Sequence, residues 1–253
     1  MDESMLPRYV ACSINIPSMD PSTALPPIDL HLDFAPNCVS RRFIFEESKI
    51  EELKTRVAST IVPKPSRVEA ISALFWKCAS AASRKNLGLP TRLSAMVQTV
   101  DIRQRVSPPL PETSVGNLFA TIVVSMEEGE LDLPRLIFQM RKAFGFSLHG
   151  EENALSKILD AGIEYSKIIH RDDIDVYTLS SWCRMPFYEL DFGWGKPIWF
   201  TTPPFTIKNS VVLRDTCDGK TLEALITLSV EDMAELERNE EFLEFVSINP
   251  SIV

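Results

Sequence analysis

The sequence contains few histidines and none of the common catalytic motifs. Its three histidines are His31, His149 and His170, and none stands in a motif that would position it as a general base. We therefore expect all three to be solvated side chains. The P-loop, GxGxxG, GxSxG and HExxH patterns are also absent, so nucleotide hydrolysis, nicotinamide chemistry, serine hydrolysis and metalloprotease action have no support.

Cysteine is also scarce, and its spacing excludes two common uses. The five cysteines are widely spaced and include no CxxC pair, which supports neither a disulfide framework nor a zinc site. We expect them to be reduced and mostly buried, and we predict no bound metal. The positions are Cys12, Cys38, Cys78, Cys183 and Cys217.

Basic charge and long apolar runs are lacking as well. The net charge of −9 and the pI near 5.0 argue against a nucleic-acid partner. No apolar stretch is long enough to span a bilayer, and the first four residues lack the basic and apolar regions of a signal peptide. We therefore predict a cytoplasmic protein without a membrane partner.

Apolar residues are nevertheless abundant enough for a core, at 45% of the chain. Alternating and β-branched runs predict strands, and apolar residues at helical spacing predict helices, so the order of elements favours a mixed α/β fold. Asp218-Gly219 is typical of a hairpin turn. The predicted strands span residues 41–46, 91–102, 118–126, 211–216 and 222–229; the predicted helices begin at Ser48, Ser66 and Ser229, and a further one spans 133–170 with an interruption at 145–150.

The first part of the chain has a different composition. Six prolines lie between Pro7 and Pro36, and the segment shows little periodicity. Proline restricts the backbone and removes a hydrogen-bond donor, so such a segment is typical of an extended connector. We therefore predict a proline-rich connector over residues 1–40 and a folded domain over residues 41–253.

Two helix starts carry the pattern of a capping box, in which a serine and a glutamate three residues later exchange hydrogen bonds with the backbone. The pairs are Ser48 with Glu51 and Ser66 with Glu69. The second pair is followed by a secure amphipathic pattern, and Arg67 adds a positive charge beside the helix start. Ser66 and Arg67 are consistent either with an anion site at the helix N-terminus or with a plain cap beside a solvated arginine.

The most informative segment is Asp191-Phe192-Gly193-Trp194-Gly195, because two glycines, two aromatics and a carboxylate rarely fall together by chance. The glycines permit tight backbone, and the aromatic rings can bury large faces. The stretch from Ser180 to Pro197 resembles the plant BAHD acyltransferases, and the resemblance runs from about Pro7 to the C-terminus. It implies the second, C-terminal domain of a two-domain CoA-dependent acyltransferase: a mixed sheet flanked by helices and preceded by a crossover connector.

The resemblance also implies an activity and its partners. Enzymes of this family transfer an acyl group from coenzyme A to an alcohol or amine, and their catalytic base is the histidine of an HxxxD motif in the first domain. No HxxxD motif occurs here, because Ala35, Asn153 and Ile174 stand four residues after the three histidines. We therefore assign no catalytic residue, and we expect an N-terminal acyltransferase domain to be missing.

Similarity is greatest to family members that acetylate alkaloid alcohols in plant specialised metabolism. This implies acetyl-CoA as the acyl-CoA donor and a small-molecule alcohol as the acceptor. The alternative hypothesis is a truncated, non-catalytic homologue that binds CoA weakly or pairs with a full-length relative.

The resemblance assigns further roles to individual residues. It implies that Asp191 has a structural role, through a salt bridge to Arg103 or else to Arg105, and that Ser66 and Arg67 lie near the phosphates of CoA. The hydrophobic surroundings of Asp191 agree with a paired carboxylate.

Two more pairs of residues have open interpretations. Gly116-Asn117 fits either a close approach of the backbone to the cofactor or an ordinary turn into a strand. Trp182 and Arg184 precede the signature segment, where the resembled fold approaches its substrate channel. Trp182 is equally consistent with a core aromatic residue.

Overall fold

The computed structural model describes residues 37–105, 109–111, 113–126, 132–145, 154–169, 171–203 and 207–249. The described residues contain seven strands in one sheet, with the order β3-β2-β4-β5-β6-β1-β7. Strand β2 is parallel to β4, and β4 is parallel to β5, whereas the other neighbours are antiparallel. The strands are β1 Cys38–Phe45, β2 Leu93–Asp101, β3 Phe119–Met126, β4 Ile174–Ser181, β5 Ser210–Asp215, β6 Leu222–Ser229 and β7 Ser247–Ile248.

Helices lie on both faces of this sheet, which confirms the predicted mixed α/β fold. The longest, α2, packs on the face that carries Phe43, Tyr177 and Leu213, and together they form the main core. Helix α4 packs against β3, and its Ile168 joins Ala95 in a separate small core. The helices are α1 Glu47–Val57, α2 Arg67–Leu87, α3 Leu133–Gly145, α4 Ala154–Ile168, α5 Val230–Leu236 and α6 Glu240–Leu243, and a 3-10 turn spans Phe187–Glu189.

The sequence located most elements but missed β4. This strand is the central parallel strand, and it leads directly into the segment that carries the family resemblance. The predicted first strand is also displaced, because β1 begins at Cys38 and so includes residues 38–40 of the predicted connector. The division into connector and domain otherwise stays a prediction, since residues 1–36 lie outside the described ranges.

Local signals predicted two helix caps and one hairpin turn correctly, and they predicted one helix cap wrongly. Ser66 forms the full capping box at the start of α2, and Ser229 caps α5 by accepting from the Asp232 amide. Gly219 has the positive φ of 69° that the β5–β6 hairpin requires. The predicted cap at Ser48 is wrong, because α1 begins one residue earlier and places Ser48 inside the helix.

Among the described residues, no helix combines the length and the apolar character that crossing a bilayer requires.

Candidate functional site

A cavity of about 490 Å³ opens at the carboxyl ends of the neighbouring parallel strands β2 and β4. Ligands of open α/β sheets bind at such carboxyl ends, where connections leave in different directions. The walls come from the start of α2, the end of β2, helix α3 and Ser181. They combine apolar side chains such as Val68 and Phe144 with hydroxyl groups, including those of Ser66 and Thr99.

Ser66 lies at the cavity wall, and it is fixed there by its capping box. The Ser66 amide donates to Glu69 Oε2 at 2.7 Å, and Ser66 Oγ accepts from the Glu69 amide at 3.2 Å. The capping-box interpretation is therefore confirmed, and the helix start faces the cavity as the anion-site interpretation requires. A role of Ser66 in cofactor binding stays a prediction.

Glu69 also joins α2 to α3. Arg141 Nε donates to Glu69 Oε1 at 2.7 Å, and Arg141 Nη2 donates to Oε2 at 2.9 Å and to the Lys64 carbonyl at 2.8 Å. Burial by itself would raise the pKa of the Glu69 carboxyl, but the hydrogen bonds from Arg141 and Ser66 outweigh burial and lower that pKa. Glu69 is therefore held ionised, which suits a structural anchor and not a proton acceptor.

Arg67 is neither solvated nor part of the cavity wall. Its guanidinium forms an ion pair with Asp215 Oδ1 at 2.5 Å and donates to the Gly219 carbonyl at 3.1 Å. The solvated-arginine interpretation is therefore wrong. A phosphate at Arg67 would have to compete with Asp215, whose side chain is only 17% exposed.

Asp215 connects several of these elements, and sequence reasoning missed it. Besides Arg67 it binds the backbone of Arg184, whose amide donates to Asp215 Oδ2 at 2.6 Å. Arg184 has a φ of 67°, which is uncommon for a residue with a side chain. The Asp215 carboxylate thus holds a left-handed turn after β4 beside the N-terminus of α2. The feature of the sequence that could have identified Asp215 is its position at the end of a predicted strand, just before a predicted hairpin turn.

The expected salt bridge between Asp191 and Arg103 is absent from the described structure, and this part of the resemblance is corrected. Asp191 is exposed, and its Oδ1 accepts from the amides of Gly193 and Gly195 at 2.7 and 3.0 Å. These bonds lower the pKa of the Asp191 carboxyl. The Asp191 carboxylate is thus hydrogen-bonded to backbone amides of its own loop.

The aromatic residues of the signature segment are also exposed rather than buried. Phe192 is 69% and Trp194 is 83% exposed, and the two rings stack with centroids 5.7 Å apart. Gly193 and Gly195 adopt φ values of 103° and 107°, which confirms that these glycines provide tight backbone.

Arg103 instead organises the loop that leads to β3. Its Nε donates to the Ser114 carbonyl at 3.1 Å, its Nη2 to the Gly116 carbonyl at 2.9 Å, and its Nη1 pairs with Asp101 at 3.1 Å. Gly116 has a φ of 140°, and Asn117 is exposed. The structure thus brings Arg103 and Gly116 together through this hydrogen bond, while a cofactor contact of Gly116 or Asn117 stays a prediction.

Trp182 packs in an aromatic cluster that follows β4. Its ring lies 5.9 Å from that of Phe187 and 6.1 Å from that of Phe200, and its Nε1 donates to Ser180 Oγ at 3.0 Å. This geometry favours the core interpretation of Trp182. A substrate-channel role for Trp182 and Arg184 stays a prediction.

All three histidines lie outside the described residues. Within the described ranges, no three histidine, cysteine, aspartate or glutamate side chains converge as metal ligands would.

The fold is a mixed α/β domain with a cavity at the carboxyl ends of two parallel strands, the usual position of a ligand site in open α/β sheets. A model of the Transferase family matches residues 8–243. The chain belongs to this family and, within it, to the plant BAHD acyltransferases, which confirms the resemblance inferred from the sequence.

Individual relatives agree with this assignment. The chain is 39% identical over 246 residues to akuammiline synthase 1 of Alstonia scholaris, which covers 96% of this chain and 57% of the relative. It is 38% identical over 240 residues to the BAHD acyltransferase BIA1 of Arabidopsis thaliana, covering 90% of this chain and 54% of the relative. The chain thus spans about half the length of these relatives.

Solved structures show the same fold. The crystal structure of vinorine synthase matches with a TM-score of 0.71 and 31% identity, covering 83% of this chain and 48% of that one. TRI101 of F. sporotrichioides, solved with coenzyme A and T-2, matches with a TM-score of 0.68 over 85% of this chain and 52% of that one. At 20% identity, that second likeness concerns the fold alone.

Proposed function

We propose that this chain is the C-terminal part of a CoA-dependent acyltransferase and that its cavity holds part of an acyl-CoA, with acetyl-CoA as the donor. The acceptor is a hydroxyl group of a specialised metabolite such as an alkaloid, and the reaction takes place in the cytoplasm. The observation that carries this proposal is the cavity at the ends of β2 and β4, beside the start of α2. Its mixture of apolar, hydroxyl and charged groups suits a long amphipathic ligand such as CoA.

The reaction requires a base that the described cavity residues do not supply. In acyl transfer the acceptor oxygen loses its proton, attacks the thioester carbonyl and displaces the CoA thiolate, which takes up a proton. The two carboxylates that line the cavity, Glu69 and Asp101, are both ion-paired with arginines. Neither is placed to accept the proton, so we propose that the base comes from a partner domain.

An exposed apolar surface supports the existence of that partner. Phe192, Trp194 and Ile198 are 69%, 83% and 88% exposed and lie within seven residues of one another. The rings of Phe192 and Trp194 are stacked, and exposed apolar patches mark interaction sites. Since the chain spans about half the length of its relatives, we propose that the surface docks a domain equivalent to the other half of those relatives.

The experiment is reconstitution of activity. The purified chain is assayed for acetyl transfer from acetyl-CoA to a panel of alkaloid alcohols, alone and after co-expression with the N-terminal half of a full-length relative. We expect no turnover from the chain alone and measurable turnover from the pair. A pair variant lacking the HxxxD histidine of the added half is the control, and it should be inactive.

Two outcomes contradict the proposal. Steady turnover by the chain alone would show that it contains its own base. A co-purifying pair that binds CoA but never transfers acetyl, malonyl or longer acyl groups would favour the alternative, a non-catalytic homologue that pairs with a relative.

A further inference from the structure

The cavity is lined by two carboxylates, Glu69 and Asp101, and two guanidinium groups, Arg105 and Arg141, but these four charges are not paired one to one. Glu69 and Arg141 form a bidentate pair, with Arg141 Nε 2.7 Å from Glu69 Oε1. Asp101 is paired with Arg103 at 3.1 Å. Arg105 also lines the cavity, and among the described residues it has no carboxylate partner. Because Asp101 is paired with Arg103, which is not a wall residue, the Arg105 guanidinium is left without a counter-charge among the described residues.

The position of Arg105 is defined by neighbouring groups. Its amide donates to the Ile102 carbonyl at 2.9 Å, which forms a turn directly after β2. The guanidinium carbon lies 5.9 Å from the centre of the Phe144 ring, within the range of a cation–π contact. An aromatic face attracts the guanidinium without neutralising it, so the charge remains available to an anion.

The other arginines near the cavity are already engaged. Arg67 is bound by Asp215 and the Gly219 carbonyl, Arg103 by Asp101 and two backbone carbonyls, and Arg141 by Glu69 and the Lys64 carbonyl. An anion that approached any of them would have to displace an existing partner. Among the described residues, Arg105 has no carboxylate partner that an anion would have to displace.

We propose that Arg105 is the anion-binding group of this cavity and that it takes a phosphate or diphosphate group of an amphipathic ligand. The apolar part of that ligand lies against Val68, Met140 and Phe144, which line the same cavity. A guanidinium suits this role because its planar N–H groups match the oxygens of a phosphate. The identification of the ligand as CoA rests on the proposed function, whereas the anion site itself does not.

Calorimetric titration with four probes tests the proposal: CoA, dephospho-CoA, pantetheine and inorganic pyrophosphate. We expect Arg105→Gln to weaken CoA and pyrophosphate binding about tenfold or more, which corresponds to about 1.4 kcal/mol. Arg105→Lys should restore part of the affinity. Pantetheine, which has no phosphate, should bind both proteins alike. Arg171→Gln is the matched control, because Arg171 precedes the amino end of β4, whereas the cavity lies at the carboxyl end of that strand.

The probes also distinguish which phosphate group of CoA binds to Arg105. If Arg105→Gln weakens CoA but not dephospho-CoA, the 3′-phosphate is the group bound; if it weakens both, the diphosphate is. The proposal is overturned if Arg105→Gln binds CoA and pyrophosphate within twofold of the parent, or if the parent binds neither probe. If pyrophosphate binding depends on Arg105 but CoA does not bind at all, the anion site stands and the proposed acyltransferase function fails.

Discussion

Replacing Glu69 by alanine tests the link between the cavity wall and the stability of the fold. The substitution removes the acceptor of the Ser66 amide and both bonds from Arg141, whose side chain is 33% exposed. Loss of a helix cap typically costs about 1 kcal/mol. Loss of a partly buried, charge-assisted pair costs about 1.5–3 kcal/mol, and solvent screening at this site favours the lower end.

We therefore expect Glu69→Ala to reduce the free energy of unfolding by about 2–3 kcal/mol. For a domain of this size, that corresponds to a fall in Tm of roughly 4–12 °C. Glu69→Gln retains a hydrogen-bond acceptor but loses the charge, so it should lie between the alanine variant and the parent. Urea unfolding at pH 7, followed by tryptophan fluorescence, measures all three. Glu51→Ala is the matched control, since Glu51 forms an exposed helical pair with Lys54 and should change stability little.

The pH dependence gives a second check on Glu69. Its pKa is lowered in the folded protein, so its contribution is fully present above the unfolded pKa of about 4.3 and is lost as the pH falls through the folded pKa. The stability difference between the parent and Glu69→Ala should therefore shrink in acid. Equal unfolding midpoints for the parent and Glu69→Ala at pH 7 would refute the reasoning.

Three other predictions concern the site and the exposed loop. Asp191→Ala should leave Tm within a few degrees of the parent, because Asp191 binds only two amides of its own loop; a loss of soluble protein would instead indicate a buried ion pair. Asp215→Asn should lower stability by about 1.5–3 kcal/mol, since Arg67 loses its counter-charge, and an unchanged urea midpoint would contradict this. The double substitution of Phe192 and Trp194 by serine should reduce the fluorescence of a bound hydrophobic dye, because it removes two exposed aromatic rings. Undiminished fluorescence would show that the dye binds a different apolar surface.

The features predicted from the sequence differ in how far apart the interacting groups lie along the chain. The capping box of Ser66 with Glu69 and the hairpin turn at Gly219 depend on residues within a few positions, and both were predicted correctly. Ser48 shows the limit of such signals, because the same pattern occurs one residue inside the helix. A local pattern defines a possible helix start, and the surrounding chain decides whether it is used.

Strand β4 was missed for a related reason. Its segment alternates only partly, since buried Asp175 interrupts the apolar pattern, and Arg92 pairs with that carboxylate at 2.9 Å. A strand buried on both faces of a parallel sheet has no clear alternation. Its pairing with β2 and β5 joins segments far apart in the sequence, and that pairing creates the edge where the cavity opens.

The sequence by itself determined the family, the mixed α/β class and the helix start that faces the cavity, because these depend on motifs and local periodicity. Only the tertiary structure decided the partner of each charge. Arg67 meets Asp215, Arg103 meets the loop carbonyls, and Arg105 is left without a described carboxylate. Many arginines and carboxylates are chemically equivalent in a sequence, and which of them come within hydrogen-bond distance depends on the packing of distant strands and helices.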